Sequence, residues 1–390
     1  MTASLSRRGF MARAGLVGCS LAASPLLTPV SLAAAPWGNR LVVIILRGGM
    51  DGLDVVQPYG DPGFRALRPT LSVGPDGGAL DLDGRFALHP DLADLMPLWQ
   101  AGHLSFVHAV STPYRDKRSH FDGQDLLEAG TNSLAGVRDG WLNRMLQTVP
   151  GVTAETAYAV GRGDMLLLQG AAEVANWSPD ADLNISPQAV RLLELVSEAD
   201  PAIHAALSEA QLLSARTDRD GARGLAGHVE IAKFTAERLS QEARIAAFSL
   251  NGWDTHRNQK VFLGKALSRL SETLLTLRGK MRGDTWRKTT VVAMTEFGRS
   301  ARENGTRGTD HGTGGLMILS GGAIRGGHVF GEWPGIGEGQ LLQNRDLLPT
   351  SDVRAHTAWL MRGLMGLEQS VLETSVFPGL DMGRDLGLLA

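Results

Sequence analysis

The chain has 390 residues, a formal net charge of −3 and a single cysteine. That acidic balance excludes a general nucleic-acid binder, which needs a basic footprint. One cysteine excludes a disulfide framework, thiolate-held zinc and iron–sulfur clusters, so any metal must sit among oxygen and imidazole ligands. The length suits one large α/β domain with an insertion, or two domains.

Residues 6–11 carry Arg7 and Arg8 before a weakly apolar stretch that reaches about Leu27. This order of charge, apolar run and small residues predicts a twin-arginine export signal, cut after Ala33. Arg13 and Pro25 interrupt the stretch, which is too short for a membrane span. A minor alternative is lipid anchoring at Cys19, in a Leu-Val-Gly-Cys box. Cleavage removes three arginines and no acid, which takes the mature chain (34–390) from −3 to −6 and leaves it without cysteine. The predicted location is periplasmic or secreted, with the export machinery as a partner, no integral span in the mature chain and no nucleic acid bound.

Apolar runs at 41–46 and 104–110 predict strands, joined through a helix at 90–101 with Leu92, Leu95, Met96, Leu98 and Trp99 on its apolar side. Residues 150–244 read as a helical insertion or flank. Residues 245–250 and 289–294 predict two more strands. Between them Leu263, Leu267, Leu270, Leu274 and Leu277 recur at four- and three-residue spacing, an amphipathic helix. A strand at 316–319 and a helix at 352–367 close the chain. Glycine, 48 of 390 residues, exceeds the usual ~7%. The excess clusters at 305–315 and 321–327, where backbone must turn sharply or approach another group closely.

Four polar motifs directly follow four of these strands. They are Arg47-Gly-Gly-Met-Asp51-Gly52, Arg118-Ser119-His120-Phe121-Asp122, Asn251-Gly-Trp-Asp254-Thr-His256 and Thr295-Glu296-Phe-Gly-Arg299. Open α/β sheets bind ligands at the carboxyl ends of their strands, so these motifs are expected to converge. Asp254 and His256 point to one side of an extended segment. With His311 they form a two-histidine, one-carboxylate set suited to zinc, manganese or iron. Asp51 and Glu296 favour a harder or second ion. Ser119 is the candidate nucleophile, before a predicted helix whose N-terminus favours an anion. Arg118, Arg115 and Arg47 are candidate anion clamps. Each residue also has a plainer reading: Ser119 as a helix cap, Asp254 as an N-cap, Glu296 paired with Arg299 or Arg302, His120 as a buried hydrogen-bonded histidine.

The motif set in order, with Asp-His-Gly-Thr-Gly-Gly at 310–315, resembles domain of unknown function 1501. That family is similar to the alkaline phosphatase and sulfatase superfamily. The resemblance implies an α/β fold, a mixed, mostly parallel sheet flanked by helices. It implies one or two divalent metals (zinc, manganese, calcium or magnesium) held by Asp51, Asp254, His256, Glu296 and His311. It also implies a nucleophile, matched by Ser119; His120 and Arg118 are expected to join it in catalysis, and Arg47 and Arg115 to bind the anion. The chain departs from the superfamily in two places: Asp254 and His256 are separated by one residue, and Glu296-Phe297 stands where an Asp-His pair is usual. Ser111-Thr-Pro113-Tyr-Arg115 fits a short sulfatase pattern, which makes Ser111 the rival nucleophile. The implied function is an exported metal-dependent hydrolase of a phosphate or sulfate ester, small-molecule or glycan. The alternatives are an inactive envelope protein binding an anionic glycan in the same cleft, and an envelope structural or assembly factor.

Overall fold

The computed structural model describes residues 35, 37–71, 73–115, 118–161, 165–179 and 227–390. The export signal, its cleavage site and Cys19 lie outside the described residues, as does 180–226 within the expected helical insertion.

Among the described residues, nine strands form one sheet. In chain order they are β1 (Arg40–Arg47), β2 (Leu104–Ser111), β3 (Ala157–Val160), β4 (Ala175–Trp177), β5 (Ile245–Asn251), β6 (Thr289–Met294), β7 (Gly315–Ser320), β8 (Val329–Phe330) and β9 (Ser351–Asp352). The spatial order is β8-β2-β7-β6-β1-β5-β3-β4, and β9 also pairs with β2. Every pairing is parallel except those of β7 with β2 and β6. The sheet is therefore mixed and mostly parallel, with helices on its faces.

β1 shows why the runs are uniformly apolar. Its alternate residues face opposite ways, and both faces are covered. Val42, Ile44 and Leu46 enter one core with α2 (Gly227–Leu239) and α3 (Gln259–Lys280). Leu41, Val43 and Ile45 enter the other with α4 (Val353–Met365). The five leucines of the predicted amphipathic helix are all buried on α3, each contributing about 2 kcal/mol of burial. Since β5 and β6 both pair with β1, α3 crosses over β1 between them.

Two expectations are corrected. The helix expected at 90–101 is a 3-10 turn, Pro90–Leu95, followed by a short α-helix, Met96–Gln100. Pro97 has no N–H for the Ala93 carbonyl, which breaks a continuous α ladder there. The stretch from 150 is not purely helical either. β3 and β4 extend the sheet beyond β5 before the described chain resumes in α2. Strands of three or four residues leave too little alternation to stand out in sequence.

β1, β2, β5 and β6 run the same way, so their four carboxyl ends share one edge of the sheet. β7 runs against them, so its amino end, just after His311, lies at that edge too. The topology thus gathers all four strand-end motifs and the His311 loop.

Candidate metal centre

Asp254 is the hub of the gathered groups. Its Oδ1 lies 2.5 Å from Arg299 Nη2, 3.1 Å from His256 Nε2 and 3.5 Å from His311 Nε2, and its Oδ2 lies 3.5 Å from His120 Nε2. The Nε2 atoms of His256 and His311 are 2.8 Å apart. His120, Asp254 and His311 each offer a ligand atom, all within 4.8 Å of one another.

Local structure places each side chain. Ser119 caps α1 (His120–Ala129), which starts the helix at His120 and turns its ring toward Asp254. Asn258, at φ 43°, ends the Asp254 loop at the N-cap position of α3, without a side-chain cap bond. An isolated antiparallel bridge pairs Arg299 with His311. Two glycines of the 305–315 loop permit this packing. A Cβ on Gly308 would meet the His256 backbone at 2.4 Å, and one on Gly312 the Arg299 backbone at 2.3 Å.

The opposite nitrogen of every imidazole is already engaged. His120 Nδ1 lies 2.7 Å from Glu296 Oε1, His311 Nδ1 2.7 Å from the Arg118 carbonyl, and His256 Nδ1 3.3 Å from Asp310 Oδ1. A carbonyl only accepts, so His311 Nδ1 carries a proton, and Nε2 is the nitrogen that faces Asp254. Ionised Glu296 and Asp310 impose the same tautomer on their partners. Three Nε2 atoms and a carboxylate then converge. His120 Nε2 is buried, and its contact with Asp254 Oδ2, at 3.5 Å, is a long one. This donor set fits a divalent cation: imidazoles directed inward, their outer nitrogens fixed by carboxylates and a carbonyl.

Without a cation, protons take that role. Burial opposes charge on His120, but Asp254 and Glu296 push its imidazole up to about 9. Asp254 sits well below the usual carboxylate range, because hydrogen bonds from His120, His311 and Arg299 outweigh its burial. Glu296 is lowered likewise, with His120 and Gln124 as the main donors acting against burial.

The expected five-ligand cluster is only partly assembled. Asp254, His256 and His311 come together. Glu296 stands one layer out: its Oε1 accepts from Gly48 N, His120 and Gln124, and its Oε2 from Thr295. His120 occupies the place expected of Glu296. Asp51 is diverted, since its Oδ2 accepts from Arg68 at 2.8 Å, Gln259 at 2.6 Å and Thr309 at 3.3 Å. Arg68 and Asp51 are both fully buried; the ion pair engages Oδ2, while Oδ1 is buried without a hydrogen-bond partner among the described residues.

The expected anion clamps are also engaged. Arg47 pairs with Glu128 and Gln124. Arg115 donates to Ser111 Oγ and to the carbonyls of Thr112 and Tyr114. Arg118 donates to Asp346 and remains more than a third exposed. Ser119 Oγ accepts from Asp122 N at 3.5 Å, the helix-cap role. Arg299 pairs with Asp254 and not with Glu296.

Sequence reasoning missed Asp310 and Gln259. Asp310 adjoins His311 in a quoted motif, so it could have been flagged. Gln259 is fully buried. Its Oε1 accepts from Thr255 and Thr309, and its Nε2 donates to Asp51 and Asp54. It thereby ties the Asp254–His256 loop to the His311 loop, which no local pattern announces.

Fold and site define a mixed α/β protein with an imidazole–carboxylate cluster at the carboxyl edge of its sheet. Over residues 38–376 the chain matches the family described as "Protein of unknown function (DUF1501)", and it belongs to that family. No curated protein matches it in sequence. Among solved structures it is similar to the C-terminal periplasmic domain of EcEptC from Escherichia coli (10% identity, covering 91% of this chain and 95% of that one, TM-score 0.42). It is also similar to a protein in the alkaline phosphatase superfamily from Vibrio parahaemolyticus (10%, 89% and 73%, TM-score 0.38). A third is the lipoteichoic acid synthase LtaP from Listeria monocytogenes (8%, 90% and 78%, TM-score 0.35). No helix among the described residues is long and apolar enough to cross a membrane.

Proposed function

We propose that the protein is a metal-dependent hydrolase of a phosphate or sulfate ester. The observation that carries this reading is the convergence of three Nε2 atoms on Asp254 while every Nδ1 is held by an acceptor. His120, His311 and Asp254 would hold one divalent cation, with His256 beside them. Imidazole-rich donors favour zinc or manganese over calcium or magnesium. Asp51 is paired through Oδ2 with the buried Arg68 and is not among the groups gathered on Asp254, which supports one cation at that cluster. A divalent cation there supplies Lewis acidity to the non-bridging oxygens of an ester.

The chain's own groups do the rest. Glu296, Asp310 and the Arg118 carbonyl fix the three rings. Arg299 holds Asp254. Ser119 is the proposed nucleophile: it is half-buried, immediately precedes His120, and its cap bond uses an oxygen lone pair, leaving the O–H free to be deprotonated. Ser111 is the weaker candidate, being buried with its oxygen against Arg115.

A second reading has one observation behind it. Arg299 is fully buried and lies 2.5 Å from Asp254 Oδ1, so it competes with a cation for that oxygen. A metal-free protein that binds an anion on His120, His256 and His311 is the function this favours. Elemental analysis of the purified protein, with a screen of aryl phosphates, phosphodiesters and aryl sulfates, separates the two. About one bound cation per chain with turnover of an ester supports the hydrolase; no metal and no turnover supports the binder.

Export through the twin-arginine route is proposed from residues 1–33. Arg7→Lys with Arg8→Lys should leave the precursor in the cytoplasm, as read by fractionation. Undiminished export of that variant would refute the signal.

A further inference from the structure

The cluster lies inside a rim whose charge contrasts with that of the whole chain. Besides His120, its ligands lie on two segments, 254–260 and 299–311, which are joined by backbone hydrogen bonds from Asn258 N to Thr306 O and from Gln259 N to Arg307 O. Every acid on these segments is engaged. Asp254 is held by Arg299 and the histidines, Glu303 by the Thr70 and Leu71 amides, and Asp310 by His256 and Asn304. The exposed cations on the same segments are not. Arg257, Lys260, Arg302 and Arg307 are all exposed, and none has a side-chain partner among the described residues. Four unpaired cations thus stand beside the ligand loops of a chain whose net charge is −3.

We propose that this rim is a subsite for further anionic groups of the substrate, so that the ester belongs to a multiply charged molecule bearing additional phosphate, sulfate or carboxylate groups. The inference rests on the hydrolase reading of the cluster. Unpaired, solvated cations contribute little to stability, whereas grouped around a cleft they concentrate anions and steer their approach. Guanidinium groups also match tetrahedral oxyanions and carboxylates with paired donors. A substrate with a single anionic ester would be met by the cluster alone and would leave the rim without a counterpart.

The test measures binding of fluorescein-labelled dextran sulfate to the purified protein by anisotropy at about 50 mM salt, where screening is modest. Wild type should bind it and should not bind neutral labelled dextran. Arg302→Glu with Arg307→Glu should weaken binding about tenfold or more, since two charges change sign beside the site, a net change of about four units. The control is Arg282→Glu with Lys288→Glu, the same charge change on two exposed residues just before β6, at the opposite edge of the sheet. It should lose less than about twofold, as expected beyond a Debye length. Equal losses in the two double variants, or no binding by wild type, would overturn the proposal. Tighter binding of a DNA oligomer of equal charge would overturn the assignment to a substrate ester. Ester turnover is recorded in parallel to keep the two readings apart. A rim-specific loss without any turnover refutes the hydrolase and leaves the anion subsite standing. Turnover with unchanged binding in the rim variant refutes the subsite alone.

Discussion

Replacing Glu296 by Gln probes the step between fold and metal. Glu296 is buried, and its Oε1 accepts three hydrogen bonds: from Gly48 N at 2.9 Å, Gln124 at 3.0 Å and His120 Nδ1 at 2.7 Å. The amide oxygen of a glutamine can keep these contacts, so the backbone turn at Gly48 should survive. The negative charge that makes His120 Nε2 a strong donor is lost. Outer carboxylates on metal-bound histidines are worth about 10–100-fold in metal affinity, or about 1.4–2.8 kcal/mol. Glu296→Gln should therefore weaken zinc or manganese binding by that factor in a chelator-competition titration, with the circular dichroism spectrum unchanged. The direction is the informative part, because a carboxylate that only braced the fold would alter stability and leave metal affinity alone. Wild-type affinity in a folded Glu296→Gln protein would refute the assignment of His120 as a ligand oriented by Glu296.

Three further outcomes are expected. In metal-free protein His120 is raised from about 6.5 to about 9, so its contribution is full below pH 6.5 and is lost as pH rises through 9. Urea unfolding should show up to about 3 kcal/mol of that loss, absent in His120→Gln, whereas metal affinity should rise over the same interval as the proton leaves. Gln259→Leu leaves the Thr255 hydroxyl and Asp54 Oδ2 without a side-chain partner, while Asp51 keeps Arg68 and Thr309; at about 1–3 kcal/mol for each buried group left unsatisfied it should cost at least about 2 kcal/mol in denaturant unfolding, and a cost under about 1 kcal/mol would show that the loops are held otherwise. Ser119→Ala should abolish ester turnover with metal content retained, while Ser111→Ala should stay active; the reverse pattern would make Ser111 the nucleophile and sulfate esters the leading substrates.

Strand positions were legible because they are local. β1, β2, β5, β6 and β7 are apolar runs, and a strand covered on both faces, whichever way it runs, must be apolar on both. The same locality marked α3 through its leucine spacing and α1 through Ser119. The short β3 and β4 escaped, since three or four residues carry no readable period.

The site was legible as a set of loops but not as a ligand list. Chain direction alone carries the Asp51, His120, Asp254, Glu296 and His311 motifs to one edge of the sheet, and that follows from which runs are strands. Which of those groups meet was decided by competition among side chains far apart in sequence. Arg68, anchored on the carbonyls of Ser300 and Ala301, removes Asp51 from the cluster. Glu296 reaches His120 across 176 residues and becomes its partner, which promotes His120 from supporting histidine to central donor. A carboxylate within hydrogen-bonding range of an imidazole, a guanidinium and an amide takes whichever geometry brings closest, and those distances exist only once both cores have packed and set the loops at the sheet's edge.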